Sequence, residues 1–285
     1  MEQEQAIIDV ILSEVKKEDS LPPLSRNALA LQQEIAKSAP ELKKVENLIK
    51  SDPALTSHML RIANSVVYKG LEEIDSIKEA ILRLGVNETK NVAAWAIHQS
   101  NFKTDDPFIK AYKSRLWFHS LSCAVGSSWT AKYLDLDSET VASKAFIAGL
   151  LHDMGTLSLL TALEKVKSNN KIKTYPSEKV LSELIQKFHS EQGYTLLKHW
   201  NLPDEYCVIS RDHHAEEFDQ TNILLLLVRL TNKICLKMEA GNRREDTAAI
   251  VSSVESNILG VSEIGIAEIE IEIEASQEKF KRKET

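Results

Sequence analysis

An adjacent histidine and aspartate, His152 and Asp153, interrupt the otherwise apolar stretch FIAGLLHDMGTLSLL at residues 146–160. Moving an imidazole and a carboxylate into an apolar interior is unfavourable unless each side chain finds a partner. Two interpretations are open from the pair alone. The side chains form a buried hydrogen-bonded pair that ends a helix before Gly155, or they form half of a metal site.

Further histidines lie on both sides of this pair along the chain. The candidate metal ligands, in chain order, are His119, His152, Asp153, His189, His213 and His214. Neutral imidazole nitrogens and carboxylate oxygens are ligands that bind iron, manganese and zinc in proteins. One carboxylate can bridge two ions while the neighbouring histidine binds one of them. The ordered set therefore predicts one or two divalent ions, drawn from iron, manganese, zinc or nickel.

Helical periodicity dominates the elements that must position these side chains. Asp52 and Pro53 predict a helix start, as the N-cap and the first helical residue. Ser76 and Glu79 form a capping-box pattern, and Gly85 is placed to end that helix in a left-handed conformation. Further helices are predicted around residues 110–134, 139–152, 178–199, 203–213 and 221–239. A helical bundle can direct side chains from several helices to one point.

The polar stretch NFKTDDPF at residues 101–108 predicts a boundary between two parts of the chain. We expect a helical N-terminal lobe over residues 1–105 and a second helical lobe over 106–240. Residues 241–285 form a C-terminal extension that packs on the bundle or is partly exposed.

The C-terminal extension contains a segment of ambiguous secondary structure, residues 264–275. Glu and Ile alternate over residues 268–274, which is typical of a strand. Ile266, Ile269 and Ile273 nevertheless share a helical face. No second strand is evident in the sequence to pair with this segment, so we favour a helix.

Composition narrows the class of protein. The 285 residues are 43% hydrophobic and 27% charged, with a net charge of −7, which argues weakly against broad nucleic-acid binding. The three cysteines are far apart and form no CxxC pair, as is typical of a reducing compartment. The acidic, amphipathic N-terminus is unlike a signal peptide, and no apolar segment approaches the about 20 residues that span a bilayer. We therefore expect a cytoplasmic protein without a membrane partner.

The order of the ligand-type residues resembles the HD superfamily of metal-dependent phosphohydrolases. Over residues 18–240 the chain is similar to one branch, the HDOD domain proteins. The matching motifs are LPPLSRNALAL (21–31), LIKSDPALTSHMLRIANSVVYKG (48–70), IDSIKEAILRLGV (74–86), LWFHSL, AFIAGLLHDMGTLSLL, FHSEQGYTLLKHWNLPDEY and RDHHAE. The resemblance implies an all-α fold, a multi-helical HD-like bundle with an additional N-terminal helical lobe that begins near residue 18.

The chain departs from the catalytic pattern of that superfamily at two places. Asn232, in VRLTNKIC, takes the place of an aspartate that usually completes the metal site, and a neutral amide is a weaker ligand for a divalent cation. Thr156 takes the place of the lysine that follows the HD pair in the related HD-GYP phosphodiesterases, and no Gly-Tyr-Pro signature follows HHAEEFDQT. The first loss removes one metal ligand, and the second removes a positive charge that would stabilise phosphate.

Two functions remain open. The resemblance implies an HDOD-type signalling or regulatory protein with a degenerate HD site, acting through a protein partner or a small nucleotide ligand. The alternative is a metal-dependent phosphohydrolase that acts on a nucleotide or a cyclic dinucleotide. Whether the chain is an enzyme is open from its sequence; we favour a non-catalytic role and assign no catalytic residue.

Other residues have simpler interpretations. Cys123 lies four residues after His119 and could share its helical face, but we favour a small core cysteine. His58 and His98 are interpreted as ordinary packing or surface residues. Trp95 and Trp129 are interpreted as core aromatics.

Overall fold

The computed structural model describes residues 2–17, 24–37, 39–65, 68, 73–99, 102–136, 138–241 and 244–284. Every regular element in these ranges is helical, which confirms the all-α prediction. The helices are α1 (Glu2–Val15), α2 (Arg26–Ile35), α3 (Leu42–Lys50), α4 (Pro53–Ala63), α5 (Ile77–Gln99), α6 (Pro107–Tyr133), α7 (Ser138–Leu151), α8 (Met154–Ser168), α9 (Glu178–His199), α10 (Asp204–Asp212), α11 (Ile223–Glu239), α12 (Arg244–Val251), α13 (Val254–Leu259) and α14 (Glu263–Glu284). Residues 18–23, where the family resemblance begins, lie outside the described ranges.

Side-chain caps begin several helices where the sequence predicts them. Asp52 accepts a hydrogen bond from the backbone N–H of Leu55, and Ser76 accepts one from Glu79. Asp106, in the predicted boundary segment, accepts hydrogen bonds from the first-turn N–H groups of α6. Each cap satisfies backbone donors that have no partner inside the helix.

Gly85 was expected to end a helix in a positive-φ conformation, and the helical stretch that begins at Ile77 does stop there. Its φ of 76° and ψ of 172° interrupt the helical path, but the chain resumes helical geometry at once and α5 runs on to Gln99. The positive φ makes the kink accessible to glycine at low steric cost. Helices α2–α5 pack on one another around this kinked helix.

The long helix α6 is central to the second part of the chain. It packs along α7 and also contacts α8, α11 and α14. Helices α8, α9 and α10 continue the bundle, and α8 was not among the predicted helices. One buried hydrophobic cluster extends from Ile11 in α1 to Val228 in α11. The division into lobes at residues 105 and 240 stays a prediction.

The ambiguous C-terminal segment is a helix. Ile266, Ile269 and Ile273 are fully buried against α6 and α11, as their shared helical face predicts. Ile264 and Ile271 lie on the opposite side and are largely exposed. The alternation of Glu and Ile therefore does not indicate a strand here, because the buried isoleucines recur at helical spacing.

One segment of the described chain, Thr140–Ser168, is long and apolar enough to cross a membrane by length and composition. The expectation that no apolar segment approaches this length was therefore wrong. The segment comprises α7, α8 and the turn between them, and 83% of its most apolar window is buried inside the protein. Such burial is typical of the core helix of a soluble domain.

Candidate metal centre

His152 and Asp153 form the turn between α7 and α8. The His152 side chain is fully buried, and its backbone oxygen accepts a hydrogen bond of 2.7 Å from the Ser210 hydroxyl of α10. Asp153 is the N-cap residue of α8, yet its carboxylate makes no capping hydrogen bond. Oδ1 of Asp153 is buried and has no hydrogen-bond partner among the described residues. The carboxylate is therefore available to bind a cation.

Two glycines let neighbouring helices approach this turn closely. A Cβ atom at Gly149 would lie 2.6 Å from the backbone oxygen of Cys123 in α6. A Cβ atom at Gly155 would overlap the backbone oxygen of His189 in α9. Because real Cβ contacts are not that short, only glycine permits α6 and α9 to bring their histidines to Asp153.

Four histidines are oriented through their Nδ1 atoms. Nδ1 lies 2.7 Å from Gly149 O in His152, 2.8 Å from Ile185 O in His189, 2.8 Å from Ser210 O in His213, and 2.8 Å from Glu239 Oε1 in His119. A carbonyl or carboxylate oxygen only accepts a hydrogen bond, so each Nδ1 must carry the proton. Whenever the ring is neutral, Nε2 then presents a lone pair, the state in which histidine binds metal.

The four Nε2 atoms surround the Asp153 carboxylate in two pairs. In what we call the first half-site, Oδ2 lies 3.8 Å from His119 Nε2 and 3.9 Å from His152 Nε2, and the two nitrogens are 3.3 Å apart. In the second half-site, Oδ1 lies 3.4 Å from His189 Nε2 and 3.5 Å from His213 Nε2, with 3.2 Å between the nitrogens. Each carboxylate oxygen therefore faces its own pair of imidazoles.

These distances fit a bound cation. Two ligand atoms at about 2.0–2.1 Å from one tetrahedral zinc ion lie about 3.3 Å from each other. The second half-site has this spacing between all three of its atoms, and the first half-site has it between its two nitrogens. Two lone pairs that face each other at such distances repel unless a proton or a metal ion lies between them.

The electrostatics of the site also favour positive charge. Burial alone would raise the pKa of Asp153, but the surrounding histidines, His152 first, hold it well below its usual range, so the carboxylate is an anion. Burial lowers the pKa of His152 and of His189, although the charge of Asp153 opposes this effect at both residues. At His119, burial is outweighed by the hydrogen bond to Glu239 and by the charge of Asp153, and the pKa rises to about 9.

Two further candidate ligands flank the half-sites. His214 is exposed, and its ring centroid lies 4.2 Å from that of His213 and 5.1 Å from that of His189. Partial loss of solvent around its ring and the neighbouring His213 lower its pKa to about 3. On the other side, the buried Cys123 thiol groups with His119 and His152, with ligand atoms within 4.8 Å of one another. The structure thus brings all six predicted residues together, and it places beside them the Cys123 thiol, which is buried in the core as predicted.

The two departures from the catalytic pattern lie in the wall of the same cavity. Asn232 and Thr156 line a cavity of about 210 Å³ together with His119, Asp153 and His214. Asn232 Oδ1 and Thr156 Oγ1 are buried and have no hydrogen-bond partner among the described residues. The cavity therefore contains polar atoms that a bound ion, water or ligand would satisfy.

Arg229 is a positioning residue that sequence reasoning missed. Its Nη1 donates hydrogen bonds of 2.9 Å to the backbone oxygens of Asp212 and Ala215, on either side of His213 and His214. Its Nε donates to Glu255 at 2.7 Å. A lone arginine in the apolar run ILLLLVRL was the available signal, because a buried arginine requires partners.

Glu239 and Arg115 were also missed. Glu239, at the end of α11, orients the His119 ring from outside, as carboxylates do for metal-binding histidines. Arg115 lies one helical turn before His119 and lines the mouth of the same cavity. Neither residue stands out in the sequence, because both belong to ordinary amphipathic helical surface.

Sequence comparison finds one family. The profile of the HDOD domain matches residues 21–216. An uncharacterized protein of Treponema pallidum (strain Nichols) is 26% identical over 211 residues, covering 69% of this chain and 38% of that protein. The chain thus spans well under half the length of this curated relative.

Solved structures show the same fold. An HDOD domain protein of unknown function from Geobacter sulfurreducens superposes with a TM-score of 0.68 at 20% identity, covering 97% of this chain and 95% of that one. A candidate metal-dependent phosphohydrolase from Shewanella amazonensis SB2B gives 0.63 at 20% identity, covering 93% and 100%. A candidate signal transduction protein from Marinobacter aquaeolei VT8 gives 0.59 at 18% identity, covering 95% and 66%. At these identities the likeness concerns the fold alone.

Proposed function

Because this chain belongs to the HDOD family, we propose that it is a signalling or regulatory protein whose degenerate HD site binds one or two divalent metal ions without turnover. The observation that carries this proposal is the Asp153 carboxylate, each of whose oxygens faces a separate pair of imidazole nitrogens at 3.4–3.9 Å. A hydrogen-bonded structural pair would not leave Oδ1 without a donor.

The wall of the cavity supports a regulatory role over a catalytic one. Asn232 contributes a neutral amide where a carboxylate would complete the first half-site, and Thr156 contributes a hydroxyl where a lysine would stabilise phosphate. Both side chains are uncharged, so a transferring phosphoryl group would meet less compensating charge here than in the catalytic pattern.

The residues that hold an ion also hold the helices together. His119 belongs to α6, the His152–Asp153 turn joins α7 to α8, His189 belongs to α9, and His213 follows α10. A bound ion supplies positive charge that links these elements in the folded state only, which stabilises that arrangement. Occupancy of the site would therefore change the rigidity of the surface that a partner contacts.

We further propose that the protein acts in the cytoplasm, through a protein partner or a small nucleotide ligand. Its net charge of −7 favours neither nucleic acid nor an anionic membrane surface as the partner. The cavity beside the half-sites is the place where a nucleotide would reach the ions.

Elemental analysis of gently purified protein tests the metal site. We expect iron, manganese, zinc or nickel at one to two equivalents, retained in the control His199→Ala, which removes an exposed histidine outside the centre. If the protein contains no native metal above background and takes up none on incubation, the proposal is wrong.

A phosphohydrolase is the second candidate function, and the open cavity favours it. That cavity reaches His119 and Asp153 and has Arg115 at its mouth, so an anionic substrate could approach the ions. Incubation of metal-loaded protein with cyclic dinucleotides and nucleoside phosphates would reveal product, and His152→Ala must abolish it. Metal-loaded protein that forms no product supports the regulatory role.

A further inference from the structure

A second cavity, which shares no residue with the metal centre, lies among α4, α5, α6, α7 and α14. Its volume is about 260 Å³. The walls include Trp95 of α5, Trp129 of α6 and Phe146 of α7, and they are mainly apolar. This volume is below the about 300–1,000 Å³ of sites for drug-sized ligands, so a compact molecule would fill it.

One carboxylate in this cavity has no cationic partner among the described residues. Glu88 is half-buried, and its two oxygens accept hydrogen bonds only from neutral groups. The Tyr68 hydroxyl donates to Oε1 at 2.6 Å, and the Asn91 amide donates to Oε2 at 3.3 Å. Asn91 is itself held by the Ser143 hydroxyl, which donates to its side-chain oxygen at 3.0 Å. The carboxylate is thus held in position, and no cationic side chain in the described ranges forms an ion pair with it.

The surroundings of Glu88 determine what kind of molecule could fill the cavity. A ligand that displaces water from a carboxylate must replace the lost solvation, or the buried charge becomes unfavourable. An apolar molecule offers no such replacement, and an anion would be repelled. The charged lining groups are the carboxylates of Glu88 and Glu272 and the exposed ammonium group of Lys132, so negative charge predominates. A cation is the species that both the charge and the aromatic walls accept, because indole faces attract cations.

We propose that this cavity binds a small organic cation, a protonated amine or quaternary ammonium with an apolar or aromatic body. Its charged end pairs with Glu88, and its body lies between Trp95 and Trp129. A ligand there touches α5, α6 and α14 at once, so binding would stiffen the contact between the N-terminal helices and the rest of the bundle.

The test uses three probes of one shape and different charge, titrated against the full chain by calorimetry and tryptophan fluorescence. Phenethylammonium is the cation, 2-phenylethanol is the neutral analogue, and 3-phenylpropanoate is the anion. We expect saturable binding of the cation, binding of the neutral analogue at least about tenfold weaker, and no binding of the anion. Equal affinities, or no saturable cation binding up to about 10 mM, would overturn the proposal.

Two variants locate the binding. Glu88→Gln keeps the shape and an acceptor oxygen but removes the charge, so cation affinity should fall about tenfold or more. Glu79→Gln, an exposed change on the same helix, should leave it unchanged. Should Glu88→Gln fail to fold, Trp129→Leu serves instead and should weaken the cation more than 2-phenylethanol. Unchanged cation affinity in both cavity variants contradicts the assignment.

Discussion

The two halves of the candidate metal centre share one carboxylate but differ in their geometry. Around Asp153 Oδ1, the second half-site has all its spacings between 3.2 and 3.5 Å. Around Oδ2, the first half-site has nitrogens 3.3 Å apart but carboxylate distances of 3.8 and 3.9 Å. Even without a bound ion, the second half-site is therefore closer than the first to the geometry that an ion requires.

The difference follows the position of the missing ligand. Asn232, the residue at the usual aspartate place, lines the cavity beside His119 in the first half-site. The second half-site instead has His214 as a spare imidazole. We expect the second half-site to bind an ion tightly and the first to exchange its ion readily, because preorganised ligands lose less freedom on binding.

The largest effect is expected from Asp153→Asn, which removes the bridging charge from both halves. Metal affinity should fall by more than the about 100-fold that follows loss of an outer-shell partner. Elemental analysis after dialysis should then find almost no ion, and the rise of the melting temperature on adding metal should disappear. If the variant retains native metal content, the carboxylate does not bridge the two halves.

Single histidine variants separate the two halves. His213→Ala should abolish the chelator-resistant ion, whereas His119→Ala should remove only the ion that a weak chelator already extracts. The comparison is measured by metal content after treatment with chelators of graded strength. Equal loss from both variants would mean that the half-sites do not differ in affinity.

Asn232→Asp should increase the metal affinity of the first half-site by restoring a carboxylate. We expect its affinity to rise about tenfold, because the number of charged ligands sets cation affinity. Asn222→Asp, the helix N-cap of the same α11, adds the same charge away from the centre and is the matched control. Competitive titration of the second equivalent of metal measures both variants.

Glu239→Gln should weaken the first half-site without affecting the second. Its carboxylate accepts the Nδ1 hydrogen bond of His119 at 2.8 Å, so the change removes charge but keeps an acceptor. Loss of such an outer-shell partner lowers affinity about 10-fold to 100-fold. An effect on the tightly bound ion would show that Glu239 acts on the whole fold.

The smallest effect concerns His98, a buried histidine outside the metal centre. Burial lowers its pKa to about 3 from the ordinary 6.5, and its Nε2 donates to Gln32 Oε1 at 2.9 Å. As the pH falls below 6.5, His98 takes up a proton in the unfolded chain but not in the folded chain. The free energy of unfolding therefore decreases progressively as the pH falls from 6.5 toward 3. Urea unfolding of the chelated protein between pH 7 and 5 should show a shallower loss in His98→Gln than in wild type. Identical slopes would contradict the low pKa.

Local sequence was sufficient for most helices. Caps such as Asp52 and Ser76 are read from neighbours a few residues away, and these predictions are confirmed. The positive φ expected at Gly85 is confirmed, but that prediction did not include a second helical stretch that resumes directly after it and continues to Gln99. Helix α8, which begins just after the turn at His152, was not predicted, because the apolar run continues unchanged on both sides of that turn.

The sequence by itself determined the residue types, their order and the helical periods, because these depend on side-chain chemistry and on contacts within a few residues. Only the tertiary structure decided which Asp153 oxygen meets which histidine pair, that Arg229 and Glu239 support them, and that Cys123 lies beside them. Those arrangements join positions up to 120 residues apart, as between His119 and Glu239. Close approach of α7 to α6 at Gly149 and of α8 to α9 at Gly155 creates them, and no local pattern encodes such an approach.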